Sequence, residues 1–177
     1  MSQVHKRLGQ PRKAPATKSQ SSFLIACQIS WAKRGGGLGY GPAASVGASL
    51  PYRGTGKICI NLQRDGEMLY TPSSLWTAAH TGVPLLTVMT NNRVYYNDVE
   101  HQEKVALHRG RPVENKLIGM EMAKPPVDFA NLARTFSVHG EGPITEPDQI
   151  RPAVERAIKV IKEEKRPALV DVYMQMV

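Results

Sequence analysis

Cysteine, aromatic residues and long apolar runs are all scarce in this sequence. Two cysteines in 177 residues, Cys27 and Cys59, cannot build the disulfide framework of a small secreted domain. Both have apolar neighbours, which is typical of buried thiols in a reducing compartment. No apolar run approaches the roughly 18 residues of a membrane-spanning helix, and the N-terminus lacks the apolar region of a secretory signal. We therefore expect a cytoplasmic protein without a membrane partner.

Acidic residues are absent from the first 22 positions, although the chain as a whole has 23 Lys and Arg, 15 Asp and Glu and a formal charge of +8. This segment is rich in Gln, Lys, Pro and Ser, so we predict a disordered basic tail over residues 1–22 and one domain over residues 23–177. A solvated extension and a nucleic-acid-binding arm are the two interpretations of the tail. The first is favoured, because no aromatic residues interleave the charges.

Apolar runs alternate with helical patterns along the rest of the chain. Residues 57–62, 84–90 and 168–173 have the composition of strands. Thr71 followed by Pro72 predicts a helix start, with Gly82 after its end, and Glu146 followed by Pro147 predicts another. Strands that alternate with helices predict an α/β domain with a largely parallel sheet.

Polar residues follow two of these predicted strands. Asp65-Gly66 comes after the strand at 57–62, and Asn91-Asn92 comes after the strand at 84–90. Because a helical stretch separates the two strands, they should be parallel neighbours, with a carboxylate and a carboxamide at one edge of the sheet. Oxygen ligands of this kind suit Mg²⁺, which usually takes one or two carboxylates together with substrate phosphates.

A dinucleotide-binding Rossmann domain is the alternative. Residues 39–44 match the loose pattern G-x-G-x-x-A, and Asp65 follows a strand at about the distance expected of a ribose-binding acid. Residues 30–34 form a poor strand end, however, and this interpretation assigns no function to Asn91-Asn92.

The glycine run at 35–41, Asp65-Gly66, and Asn92 placed 27 positions after Asp65 form a more specific combination. It resembles the pyrophosphate-binding domain of thiamine-diphosphate enzymes, in the acetolactate synthase and benzoylformate decarboxylase branch, from about Gly35 to Val172. The resemblance implies a three-layer, doubly wound, mostly parallel sheet. It also implies thiamine diphosphate and Mg²⁺ as cofactors.

The resemblance implies a role for eight residues. The side chains of Asp65 and Asn92 and the carbonyl of Val94 would bind Mg²⁺. The remaining five would contact thiamine diphosphate. Main-chain amides of Gly66, Glu67 and Met68 would face the diphosphate. The carbonyl of Gly36 would contact the aminopyrimidine, and Leu38 would be the apolar wedge under the bent cofactor.

Arg64 departs from the pattern of this family, whose motif reads Gly-Asp-Gly. A long cation beside the metal would either crowd the loop or contact the diphosphate, and both would alter cofactor affinity.

The glutamate that activates the cofactor in this family belongs to a separate pyrimidine-binding domain, which the chain does not contain. The resemblance therefore implies no catalytic residue here and a partner domain on another chain or in a missing N-terminal part, within a homo- or hetero-oligomer. We expect a component of a 2-keto acid decarboxylase or carboligase, inactive alone. It would be the end of a longer enzyme or the subunit of a split one. A non-catalytic remnant or assembly module of the same fold is the other interpretation.

Overall fold

A five-stranded parallel sheet with the strand order β1-β2-β3-β5-β4 organises the part of the chain that the computed structural model describes, residues 24–26 and 37–175. The strands are β1 (Leu24–Ala26), β2 (Ile58–Arg64), β3 (Leu85–Asn91), β4 (His139–Ile144) and β5 (Ala168–Tyr173). The helices are α1 (Tyr40–Ser49), α2 (Asp65–Tyr70), α3 (Ser74–Thr81), α4 (Tyr96–His108), α5 (Phe129–Thr135) and α6 (Pro147–Glu163). Short 3₁₀ turns lie at Leu50–Tyr52 and Glu114–Leu117. The predicted tail, Cys27 and Gly36 lie outside the described residues.

Helices cover both faces of the sheet. Side chains of α6 pack on one face in a buried cluster of Ile58, Leu86, Ala153, Ala157, Ile161, Ala168, Val170 and Val172. On the opposite face, helices α2, α3 and α5 contribute to a cluster of Met68, Leu75, Met89, Phe129, Ala133, Val138 and Leu169. Successive strand residues point to opposite faces, so β3 and β5 supply apolar side chains to both clusters. The predicted α/β fold with three layers is confirmed.

The predicted elements are confirmed within one or two residues. β2 and β3 are parallel neighbours as predicted, with Arg64 paired to Thr90, so the two strands end almost level. Helix α3 begins at Ser74, two residues after the predicted first position Pro72, and its N-cap is Ser73 rather than Thr71, because residues 71–75 first form a turn in which the Ser74 amide donates to the Thr71 carbonyl at 3.1 Å. Within the described ranges, no helix has the length and apolar character needed to cross a membrane.

Asp171 lies in the middle of this fold with no solvent exposure. The Asn91 side-chain amide donates to its two carboxylate oxygens at 3.1 and 3.3 Å, which joins β3 to β5 through side chains as well as through the main chain. Burial raises the pKa of Asp171 from 3.8 to about 6, and the Asn91 hydrogen bonds offset part of the increase. The ionised form is therefore costly in the folded protein.

Asp171 should make the stability of the fold depend on pH. Since its pKa is raised on folding, its favourable contribution is complete below pH 3.8 and is lost as the pH rises through about 6. Asp171→Asn removes this titration. We expect the free energy of unfolding of the wild type to fall relative to the variant by about 2.5 kcal/mol between pH 4 and pH 8.

Urea unfolding of both proteins across this pH range measures the difference, with Asp148→Asn at an exposed position as the matched control. Parallel pH profiles for the wild type and Asp171→Asn would contradict the assignment.

Candidate cofactor site

A cavity of about 680 Å³ opens at the carboxyl ends of β2, β3 and β5. Five of the predicted site residues line it: Leu38, Asp65, Gly66, Asn92 and Val94. The other residues of the lining are Arg64, Thr90, Tyr95, Tyr96, Asn97, Asp98, Glu100, Met174 and Gln175. The carboxyl edge of a parallel sheet is where α/β folds bind ligands, so the location is the one that the topology favours.

The Asp65 carboxylate connects the ends of two neighbouring strands. It is 3% exposed and begins α2 immediately after β2. One oxygen accepts from the Gly66 amide at 2.8 Å and the other accepts from the Arg93 amide at 2.6 Å. Burial raises the pKa of Asp65, and these amide hydrogen bonds offset part of that increase. The carboxylate thereby fixes the turn after β3 against the start of α2.

The turn after β3 carries Asn92 and Val94. Arg93 between them has φ +59°, a left-handed conformation that is uncommon for a residue other than glycine. The Val94 amide donates to the Asn92 side-chain oxygen at 3.3 Å. This turn directs Asn92 and Val94 to the cavity that Asp65 lines.

The Arg93 side chain fastens the same turn to the end of β5. Its guanidinium lies over the Tyr173 ring at 4.6 Å from the ring centre and donates to the Met174 carbonyl at 3.3 Å. The Met174 amide in turn donates to the Asn91 carbonyl at 2.8 Å. Three strand ends therefore hold one short turn in place.

The ring of Tyr95 leaves no room for a side chain at position 66, so only glycine fits there. A Cβ at Gly66 would lie 2.3 Å from Cε1 of that ring, and the Tyr95 hydroxyl donates to the Gly66 carbonyl at 3.3 Å. Tyr95 therefore packs against Gly66 and also lines the cavity.

The side chains of Glu67 and Met68 point away from the cavity. Met68 is 1% exposed and packs in the core cluster that contains Phe129. The Glu67 carboxylate accepts from the Gly41 amide at the start of α1, at 2.8 Å. The predicted contacts of these residues with a diphosphate involve their main-chain amides, and they stay a prediction.

Leu38 reaches the cavity from the loop before α1. It is 41% exposed and precedes Gly39, whose φ of +86° provides the left-handed turn into α1. A partly exposed apolar side chain at a cavity wall is suited to contact a flat, apolar part of a ligand. Gly36, the other predicted residue of this loop, lies outside the described residues.

Sequence reasoning missed two parts of the cavity wall. Asp98 and Glu100 come from the first turns of α4, and their signal was their position a few residues after the asparagine pair. Met174 and Gln175 follow β5, and the order of strands in the sheet brings them beside β3. The described residues contain no group of three His, Cys, Asp or Glu side chains placed to hold a metal. Any cation here would rely on amide, main-chain and ligand oxygens in addition to Asp65.

Comparison with known proteins identifies the family of the domain. The family model for the C-terminal TPP-binding domain of thiamine pyrophosphate enzymes matches residues 21–172. A Mycobacterium tuberculosis protein named "Putative acetolactate synthase large subunit IlvX" is 30% identical over 139 residues, covering 78% of this chain and 25% of that protein.

Solved structures give the same result. The thiamine diphosphate-dependent 4-hydroxybenzoylformate decarboxylase of Rhodococcus jostii superposes with a TM-score of 0.64 and 27% identity, covering 80% of this chain and 24% of that chain. Benzoylformate decarboxylase from Polynucleobacter necessarius, at 19% identity, shares the fold with a TM-score of 0.62 over 81% of this chain and 25% of that chain. The chain thus spans about a quarter of the length of these relatives. From the match over residues 21–172 together with the site, we conclude that the chain belongs to the family of C-terminal TPP-binding domains of thiamine pyrophosphate enzymes.

Proposed function

We propose that this chain binds thiamine diphosphate through Mg²⁺ and forms one half of the active centre of a 2-keto acid decarboxylase or carboligase. The observation that carries the proposal is the meeting of Asp65, Asn92 and Val94 at one cavity in a chain of this family. Two of its relatives are named as an acetolactate synthase subunit and a benzoylformate-type decarboxylase, which supports 2-keto acids as the substrate class.

The chemistry of the donor set fits Mg²⁺. Asp65, Asn92 and the Val94 carbonyl offer only oxygen atoms and a single carboxylate, which is the composition that Mg²⁺ accepts when phosphate oxygens complete its shell. The Asp65 carboxylate is buried and its pKa is raised by that burial. A divalent cation beside it would offset the cost of the buried negative charge.

The residues of this chain would bind and orient the cofactor. Main-chain amides of Glu67 and Met68 would face the diphosphate, and the Gly66 amide would join them by exchanging its 2.8 Å hydrogen bond to Asp65 for one to the ligand. Leu38 would support the bent cofactor from below, and the Gly36 carbonyl would contact the aminopyrimidine. Bound thiamine diphosphate supplies a carbon nucleophile that adds to a substrate carbonyl. The domain binds and orients this group and, on the proposal, contributes no acid or base of its own to the reaction.

The activating glutamate would come from a pyrimidine-binding domain in a partner subunit or in another part of a longer protein. This part of the proposal is supported by the coverage, since the chain matches only 24–25% of its relatives. On this proposal, the domain binds the diphosphate end of the cofactor and joins its partner in an oligomer to form a complete site.

Asp65→Asn should abolish most Mg²⁺-dependent binding of thiamine diphosphate. The substitution removes the anionic ligand and also places an amide nitrogen against either the Gly66 or the Arg93 amide, so we expect affinity to fall by at least about 100-fold. Isothermal titration calorimetry with thiamine diphosphate, with and without Mg²⁺, measures it.

Asp98→Asn is the matched control, because Asp98 lines the same cavity without being a proposed ligand. Equal affinities for the wild type and Asp65→Asn would refute the metal assignment. Turnover of a 2-keto acid by the purified chain alone would refute its role as half of a site.

Arg64 favours a second candidate, a non-catalytic assembly module that keeps the fold without the cofactor. This cation lines the cavity where the family motif has glycine. Its backbone, at φ −82° and ψ 146°, is ordinary extended strand, so the main chain at this position does not need glycine. The replacement therefore affects the site through the guanidinium group and without backbone strain.

Arg64→Ala distinguishes the two candidates. If the guanidinium contacts the diphosphate, thiamine diphosphate affinity should fall about tenfold, and the effect should shrink as salt is raised. If the Arg64 side chain instead blocks the cofactor, the wild type should show no Mg²⁺-dependent binding of thiamine diphosphate, and Arg64→Gly should restore that binding. Calorimetry on the three proteins at two salt concentrations separates these results.

A further inference from the structure

A buried network of hydrogen-bonded polar side chains lies beneath α1 and extends to the loop that carries Leu38. The Glu67 carboxylate accepts from the Gly41 amide at 2.8 Å with one oxygen and from the Gln63 side-chain amide at 2.9 Å with the other. The Asn61 side-chain amide donates to the Gln63 side-chain oxygen at 3.0 Å and to the Ser45 hydroxyl at 3.3 Å. These four side chains are each at most 5% exposed.

The Glu67 carboxylate determines which group donates and which accepts in each hydrogen bond of this buried network. Both Glu67 oxygens accept, so Gln63 presents its nitrogen to Glu67 and its oxygen to Asn61. Asn61 must then use its nitrogen toward Gln63. The Ser45 hydroxyl, which accepts from Asn61, is left to donate to the Pro42 carbonyl at 2.7 Å. Each buried donor named here has a partner, which offsets the cost of burying a charged group.

A second contact fixes the same loop one turn further along α2. The Thr71 hydroxyl donates to the Gly39 carbonyl at 2.8 Å. A Cβ at Gly39 would lie 2.7 Å from Cβ of Tyr70, and a Cβ at Gly41 would lie 2.9 Å from the Glu67 carboxylate. The two glycines therefore allow the loop to lie directly against α2.

We propose that Glu67 and Thr71 are positioning residues that hold Leu38 at a fixed place relative to Asp65. Asp65 begins α2, Glu67 lies in its first turn and Thr71 follows its last residue, so this six-residue helix carries the proposed metal ligand and both loop contacts. Leu38 directly precedes Gly39, which Thr71 contacts, and lies three positions before Gly41, which Glu67 contacts. The inference rests on the proposed function, in which Asp65 holds the diphosphate end of the cofactor and Leu38 supports its organic end.

We expect substitutions of Glu67 and Thr71 to weaken the binding of one probe and not of another. Inorganic pyrophosphate with Mg²⁺ uses only the Asp65 half of the site, whereas thiamine diphosphate with Mg²⁺ also needs Leu38 in place. Glu67→Gln puts an amide nitrogen on one end of the carboxyl group. That nitrogen either meets the Gly41 amide as donor against donor, or is accepted by Gln63 only if the Gln63 and Asn61 side-chain amides both reverse, so the substitution disturbs either the Gly41 contact or the buried hydrogen bonds behind it. Thr71→Val removes the hydroxyl and keeps the shape.

Calorimetry should show that each variant loses about tenfold in thiamine diphosphate affinity, the scale of one buried hydrogen bond, while pyrophosphate affinity stays within about twofold of wild type. Glu114→Gln at an exposed site is the matched control. Equal losses for both probes would indicate a merely structural role for α2, and no loss for either would refute the positioning role. Asp65→Asn should weaken both probes, which separates failure of the metal site from failure of the loop contact.

Hydrogen exchange of the ligand-free protein tests the contact without the cofactor. The Gly41 amide should exchange about tenfold faster in Glu67→Gln than in wild type, with protection of the β3 and β5 amides unchanged. If the wild type binds neither probe, the proposed function fails and this measurement still decides the contact. Equal exchange of Gly41 in the two proteins would overturn it.

Discussion

The 2.6 Å hydrogen bond from the Arg93 amide to the Asp65 carboxylate is the contact on which the site depends. It joins the residue that follows β2 to the turn that follows β3, and it requires Arg93 in a left-handed conformation. The parallel register makes the bond possible, since Arg64 pairs with Thr90 and the two strands end almost level. Without that register, the polar residues would lie at different heights along the sheet and could not share a cavity.

The two acidic residues of α2 have side chains that bind different parts of the structure. The Asp65 carboxylate accepts from the Arg93 amide in the turn after β3, while the Glu67 carboxylate accepts from the Gly41 amide at the start of α1. Both residues are buried, and amide groups donate to the oxygens of both carboxylates. Asp171 is the third buried acid of this region, and its partner is the Asn91 amide. The polar groups of the site are therefore fixed in place before any ligand binds.

The local pattern of the sequence predicted the framework and part of the site. The strands that precede Asp65 and Asn92, the last helix and the last strand all form where hydrophobic periodicity and capping residues place them. The prediction that β2 and β3 are parallel neighbours is confirmed, and Asp65 and Asn92, which follow these strands, line the same cavity. These are short-range signals, and they depend on the propensity of a few neighbouring residues.

Contacts between distant parts of the chain could not be predicted in this way. Thr71 has the composition of a helix cap, but its hydroxyl binds Gly39, which is 32 positions earlier. Glu67 carries no local sign that its side chain turns toward Gly41, and nothing before β5 indicates that Met174 would border the cavity. The left-handed conformation of Arg93 could not be predicted from the sequence either, because the residue is not glycine. Each of these features is set by packing of elements that are far apart in sequence.

The position of the metal is the sharpest test of the proposed site. Crystals grown with thiamine diphosphate and Mn²⁺ in place of Mg²⁺ would give an anomalous signal at the metal. We expect one peak at the carboxyl ends of β2 and β3, within coordination distance of the Asp65 carboxylate, the Asn92 side-chain oxygen and the Val94 carbonyl. A peak elsewhere, or thiamine diphosphate bound without a metal at Asp65, would contradict it.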